Sequence, residues 1–121
     1  MTPEELKQRT RQFALRVIRL SEALPRTRSA DVIGRQLIRA GTSVGANYRA
    51  ACRARSRADF ISKMNIVEEE VDEAIYWMEL LTDAKIIKES LLVSLAGEAR
   101  ELLAITVASI NSARGTPRQR Q

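Results

Sequence analysis

Four arginines at related spacing, Arg35, Arg39, Arg49 and Arg53, are the side chains best suited to chemistry, and that chemistry is anion recognition. A guanidinium stays charged at any physiological pH and donates paired hydrogen bonds to phosphate. An α-helix advances about 100° per residue, so the 14 positions from Arg35 to Arg49, and from Arg39 to Arg53, come close to four whole turns. All four then fall in one narrow arc as a basic stripe, which Arg55 and Arg57 extend. Such a row suits the backbone of RNA or DNA. It equally suits the acidic face of a helix in a neighbouring subunit, because exposed helix faces are often charged. Tyr48 and Tyr76 fall on different helices, which leaves no platform for stacking bases. Contact would be to backbone, with little sequence preference.

Other chemistries are poorly served. Histidine is absent, so neither a ferritin-like metal site built on Glu-x-x-His pairs nor a nucleophile that relies on an imidazole base can be assembled. Glu68, Glu69, Glu70, Asp72 and Glu73 are of the type that binds Mg²⁺ or Ca²⁺, but their helical angles scatter them and they read as a solvated face. Cys52 has Arg49 and Arg53 nearby in sequence, which favours a thiolate. Lacking a base and a glycine-rich oxyanion loop, it reads as a packing residue. The expectation is a protein without catalysis, metal or cofactor.

The elements that must hold these residues are helical. Only three prolines and five glycines occur in 121 residues, and apolar-polar alternation of the strand type is nowhere sustained. Thr2-Pro3-Glu4-Glu5 is a helix start, followed by an apolar seam of Leu6, Thr10, Phe13, Val17, Leu20 and Leu24 that Pro25 ends. Ser29 is the expected cap of a second helix reaching about Arg53, with Ile33, Leu37, Ala40, Val44, Asn47 and Ala51 as its seam. Ser56 and Asp59 resemble a capping box, and Phe60, Met64, Val67, Val71, Ala74, Met78 and Leu81 continue as a third seam. The fourth helix begins near Lys88 with Leu92, Ala96, Ala99, Leu103, Thr106 and Ile110, and closes at Gly115 and Pro117. Short loops between such helices dictate an all-α, antiparallel up-down-up-down four-helix bundle over residues 1–114, with a basic, disordered tail over 115–121.

Gly34, Gly41 and Gly45 line one flank of the second helix. Each costs about 1 kcal/mol relative to Ala, so the flank predicts either close approach by another helix or a break at Gly41-Thr42-Ser43. Asn47, in an otherwise apolar seam with Ser43 one turn before it to share its hydrogen bonds, is expected to be a structural specificity residue that fixes register or partner choice and not a ligand site. Trp77 lies off the centre of the third seam, at the edge of the core or at a subunit interface.

Charge is divided unevenly, with residues 1–57 carrying +9 and residues 58–121 carrying −4 for a net +5. Such a split suggests an anionic partner or pairing between subunits. The longest apolar-rich stretch, Leu102 to Ile110, is about half of the roughly 18–20 residues that cross a membrane. A single cysteine agrees with a reducing compartment. A cytoplasmic protein is expected, with no membrane partner.

The run Gly34 to Arg49, then Asp59-Phe60 and Val67 to Leu81, resembles the bacterial four-helix bundle family of 23S rRNA intervening-sequence proteins. The likeness extends from about residue 8 to residue 112, and Arg39-x-x-x-Ser43-x-x-x-Asn47 is its most specific part. Ala50 stands where many members carry Glu. That family is similar in turn to the accessory variability protein of diversity-generating retroelements. The resemblance implies a homopentameric ring whose basic surfaces engage nucleic acid and a reverse transcriptase. On that reading Arg35, Arg39, Arg49, Arg53, Arg55 and Arg57 are nucleic-acid contacts, while Gly34, Gly41, Ser43, Gly45, Asn47 and Trp77 serve helix packing or the oligomer interface.

Overall fold

Four helices make up most of residues 1–115, the part that the computed structural model describes: α1 (Pro3–Glu22), α2 (Arg28–Ala51), α3 (Arg57–Asp83) and α4 (Glu89–Arg114). Beyond Gly115 the expected basic tail lies outside the described residues. Cross-helix pairs show each helix antiparallel to its neighbour in sequence. Leu24 lies against Gly34 and Thr10 against Gly45. Arg39 reaches Glu70 and Glu73, and Arg100 reaches Glu79. Arg9 closes α1 onto α4 through Glu98 and Glu101. The fold is the expected up-down-up-down four-helix bundle.

Local chemistry explains the ends. Thr2 accepts from the Glu5 amide while Glu5 returns to the Thr2 amide, a complete capping box with Pro3 in the first turn. Ser56 accepts from the Asp59 amide, but Asp59 reaches back to the amide of Arg55 instead of that of Ser56. At α2 the cap is Thr27, whose hydroxyl accepts from the Ala30 amide, and Ser29 lies inside the first turn. Gly115, at φ 66°, ends α4 in the left-handed conformation that glycine adopts without penalty.

The seams of α1 and α3 are as the spacing predicts, with Phe13, Val17, Met64, Val67, Val71, Met78 and Leu81 fully buried. Two other helices are rotated from expectation. On α2 the buried residues are Ala30, Gly34, Leu37, Ala40, Gly41, Val44, Tyr48 and Ala51, so Leu37, Ala40, Val44 and Ala51 are buried as expected while Gly34 and Tyr48 take the places expected for Ile33 and Asn47. Burial of Tyr48 pushes its phenol pKa upward, reinforced by a hydrogen bond with Cys52. On α4, Leu95 and Leu102 are buried while Ala96 and Leu103 are half-exposed. Tyr48 over Asn47 and Leu95 over Ala96 put the larger of two adjacent candidates inward, since it removes more apolar surface from water, and Leu102, about two turns after Leu95, follows the same face.

α2 runs unbroken through Gly41-Thr42-Ser43. A Cβ on Gly41 would stand 2.8 Å from Val17 Cγ1, and one on Gly34 would stand 3.2 Å from Leu24 Cδ1. Gly41 and Gly45 therefore receive α1 of the same chain and Gly34 the segment just after it, and that close approach offsets their propensity cost.

Candidate nucleic-acid interface

The arginine stripe divides into two halves of different character. Arg35 is exposed but bound to Asp31 one turn earlier, at 2.9 Å. Arg39 crosses to α3, donating to Glu73 Oε2 at 2.5 Å and to Glu70 Oε2 at 3.3 Å. These bonds hold the Arg39 pKa above its ordinary value, with Glu73 the larger cause. Glu73 is correspondingly lowered, by Arg39 first and then by Trp77, whose indole N–H donates to the same carboxylate oxygen at 3.1 Å. The half of the stripe near the start of α2 is thus largely neutralised within the chain.

The other half is not. Arg49, Arg53, Arg55 and Arg57 are exposed, and among the described residues none makes a side-chain ion pair. Arg49, Arg53 and Arg55 surround an open hollow of about 760 Å³ together with Ala46, Ala50, Asp59 and Lys63. Lys63 is bound to Asp59 at 2.6 Å. That bond, aided by the Arg55 amide, holds the Asp59 pKa below the usual carboxylate range.

A second hollow, of about 470 Å³, lies on the other side of α2 with Lys7 and Arg11 of α1 on one wall and Arg49 on the opposite one. Thr42, Gly45 and Ala46 also line it. Lys7 pairs with Glu4 at 3.3 Å, whereas Arg11 makes no ion pair among the described residues. Both hollows share Ala46 and Arg49, so the cations form one belt crossing α1, α2 and α3 at the end where α1 begins and α2 finishes.

Lys7, Arg11 and Lys63 are the members of this belt that spacing along one helix does not reveal. A usable signal was present, because antiparallel packing sets the start of α1 beside the end of α2. Small side chains between the cations leave the belt open to a bulky anion, and no large aromatic interrupts it.

The remaining candidates sit elsewhere. Asn47 is half-buried and donates to the Ser43 carbonyl at 2.8 Å, while the Ser43 hydroxyl donates to the Arg39 carbonyl at 2.7 Å. Both bonds stay within one helix. Trp77 is half-buried against the core, edge-on to Tyr76 at a centroid distance of 5.0 Å. Among the described residues no group of three or more acids and cysteines is placed to hold a metal, and no helix is long and apolar enough to cross a membrane.

Comparison with known proteins agrees with the likeness carried by the arginine-rich segment. A protein of unknown function from the S23 ribosomal protein family of Bacteroides thetaiotaomicron VPI-5482 is 35% identical and superposes with a TM-score of 0.85. The match covers 92% of this chain and 99% of that one. Among curated proteins there is no match. The family model for the 23S rRNA-intervening sequence protein matches residues 4–108. With the bundle, its helix order and its matched span in agreement, the chain belongs to the 23S rRNA-intervening sequence protein family.

Proposed function

We propose that this protein is a non-enzymatic, cytoplasmic, homo-oligomeric bundle that binds the backbone of RNA or DNA, with Arg11, Arg49, Arg53 and Arg55 as its principal contacts. The observation that carries this reading is the convergence of these four exposed cations, unpaired among the described residues, on two adjoining hollows that share Ala46 and Arg49, with Gly45, Ala46 and Ala50 as the small residues between them. Guanidinium groups in such a setting present their donors to phosphate without first breaking an internal salt bridge. Assembly multiplies the effect: the five copies implied by the resemblance would carry about +25 from +5 each.

Electrophoretic mobility shifts or filter binding test the proposal. Arg49→Glu with Arg53→Glu should weaken binding to all sequences alike, and more than Arg35→Glu with Arg39→Glu does. Binding that ignores salt, or none at about 50 mM salt, would overturn it.

A second reading treats the charges as assembly contacts alone. It is favoured by Glu68, Glu69 and Asp72 of α3, which make no ion pair among the described residues and could meet the belt of another copy. Under that reading the Arg49 and Arg53 double substitution lowers the mass measured by light scattering. A variant that keeps its mass but loses nucleic acid excludes it.

A further inference from the structure

The groove between α3 and α4 lies on a different side of the bundle from the basic belt and has the opposite character. It holds two hollows. One, of about 480 Å³, is bounded by Glu68, Glu69 and Asp72 on α3 and by Leu103 and Val107 on α4. The other, of about 380 Å³, is lined by Ile75, Met78, Leu92 and Val93, with Glu79, Asp83 and Glu89 also around it. In the first hollow the α3 side is acidic and the α4 side apolar; in the second, Ile75 and Met78 of α3 meet Leu92 and Val93 of α4, and acids on both helices surround that apolar floor. Val93 is 61% exposed and Val107 36% exposed, so the apolar side on α4 is uncovered. Arg100, bound to Glu79 at 3.5 Å, is the one cation lining either hollow. Glu68, Glu69, Asp72, Asp83 and Glu89 make no ion pair among the described residues.

We infer that this groove receives a basic amphipathic helix from another protein, with apolar anchors in the two hollows and Lys or Arg along the α3 lip. Two antiparallel helices with a furrow between them are a standard seat for a third helix. The hollows are centred about 11 residues apart on α3, roughly 16 Å at 1.5 Å per residue. That distance is three turns of an incoming helix, which sets the anchor spacing. Nucleic acid is repelled by the same carboxylates that would attract Lys and Arg. A second copy of this chain fits less well. The exposed apolar face of α1, Leu15 and Ile18 beside Arg11 and Arg19, sets its two apolar side chains only about one turn apart, not the three turns that the hollows require.

The test is fluorescence anisotropy on the intact protein after nuclease treatment. The probe is a labelled helical peptide of about 20 residues bearing two leucines three turns apart and lysines along one flank. Micromolar binding is expected, weakened about tenfold or more by Glu69→Lys with Asp72→Lys, and separately by Val93→Ser with Val107→Ser. All four positions are at the surface, and melting curves followed by circular dichroism check that the variants fold. No binding at about 100 µM peptide, equal binding of a scrambled peptide of the same composition, or equal binding by the variants would overturn the proposal. So would self-association, seen by sedimentation, that the groove variants dissolve, since the occupant would then be a second copy.

Discussion

Arg39, Glu73 and Trp77 form a polar chain across α2 and α3 that turns a surface ion pair into something measurable. Glu73 titrates below its ordinary value of 4.5 because Arg39 and Trp77 both favour its charged form. A carboxylate with a depressed folded pKa contributes stability that is complete above its unfolded pKa and is lost as pH falls through the folded one. Stability from this contact should therefore hold down to about pH 4.5 and fade below it. Because Arg39 and Glu73 remain partly exposed, the amount is small, about 0.2–1 kcal/mol. Trp77 is the chain's only tryptophan, so its emission should change over that acid range, and Glu73→Gln should abolish the change. The cap of α2 gives a second test at this scale. Thr27→Ala should lower stability by about 1 kcal/mol in chemical denaturation, and Ser29→Ala should leave it nearly unchanged. Both residues are capping types, and sequence spacing alone does not choose between them. The choice lies in the backbone at Thr27, extended at φ −119°, ψ 163°, which aims the hydroxyl at the Ala30 amide.

At the scale of a helix, the clearest lesson comes from two glycines that look alike in sequence. Gly41 faces Val17, a fully buried β-branched side chain with one preferred rotamer in a helix. Gly41→Ala gains about 1 kcal/mol of helix propensity but overpacks by about 1–3 kcal/mol, so a net loss of thermal stability is expected. Gly97 has open space where its Cβ would stand, and Gly97→Ala should raise the melting temperature by about 3–5 °C. Periodicity made the existence, number and approximate limits of the helices legible, and Leu37, Val44, Met64 and Val71 needed nothing more than their spacing. Rotation was harder. Asn47 and Tyr48, Ala96 and Leu95, and Leu103 and Leu102 are neighbours about 100° apart, and each pair straddles the boundary of a buried arc. Reading Gly34 and Gly41 as a flank shifted the α2 seam, because a glycine adds no apolar weight to a pattern even when it occupies the core line.

For the whole molecule, the decisive fact is register between helices. The stripe Arg35, Arg39, Arg49 and Arg53 was legible as an arc on one helix, but the neutralisation of Arg39, unlike that of Arg35 by Asp31 one turn away, depends on Glu70 and Glu73 of α3 lying level with it. No local spacing reports that alignment. The same alignment gathers Lys7, Arg11 and Lys63 beside Arg49 from segments far apart in sequence. About four phosphate contacts from such a belt imply a slope near −3.6 in log affinity against log salt on duplex, or about a hundredfold loss between 50 and 200 mM. Titration at several salt concentrations checks this, and Arg49→Glu with Arg53→Glu should flatten the slope by about two. The alternating course of the helices carries a practical corollary for anyone measuring these affinities. An even number of antiparallel rods brings Met1 and Gly115 to one end, and it is the end that bears the belt. A sensor chip or purification handle joined at either terminus would crowd the cations against the support. A biotin placed in the turn at residues 84–88 would leave them facing the solution.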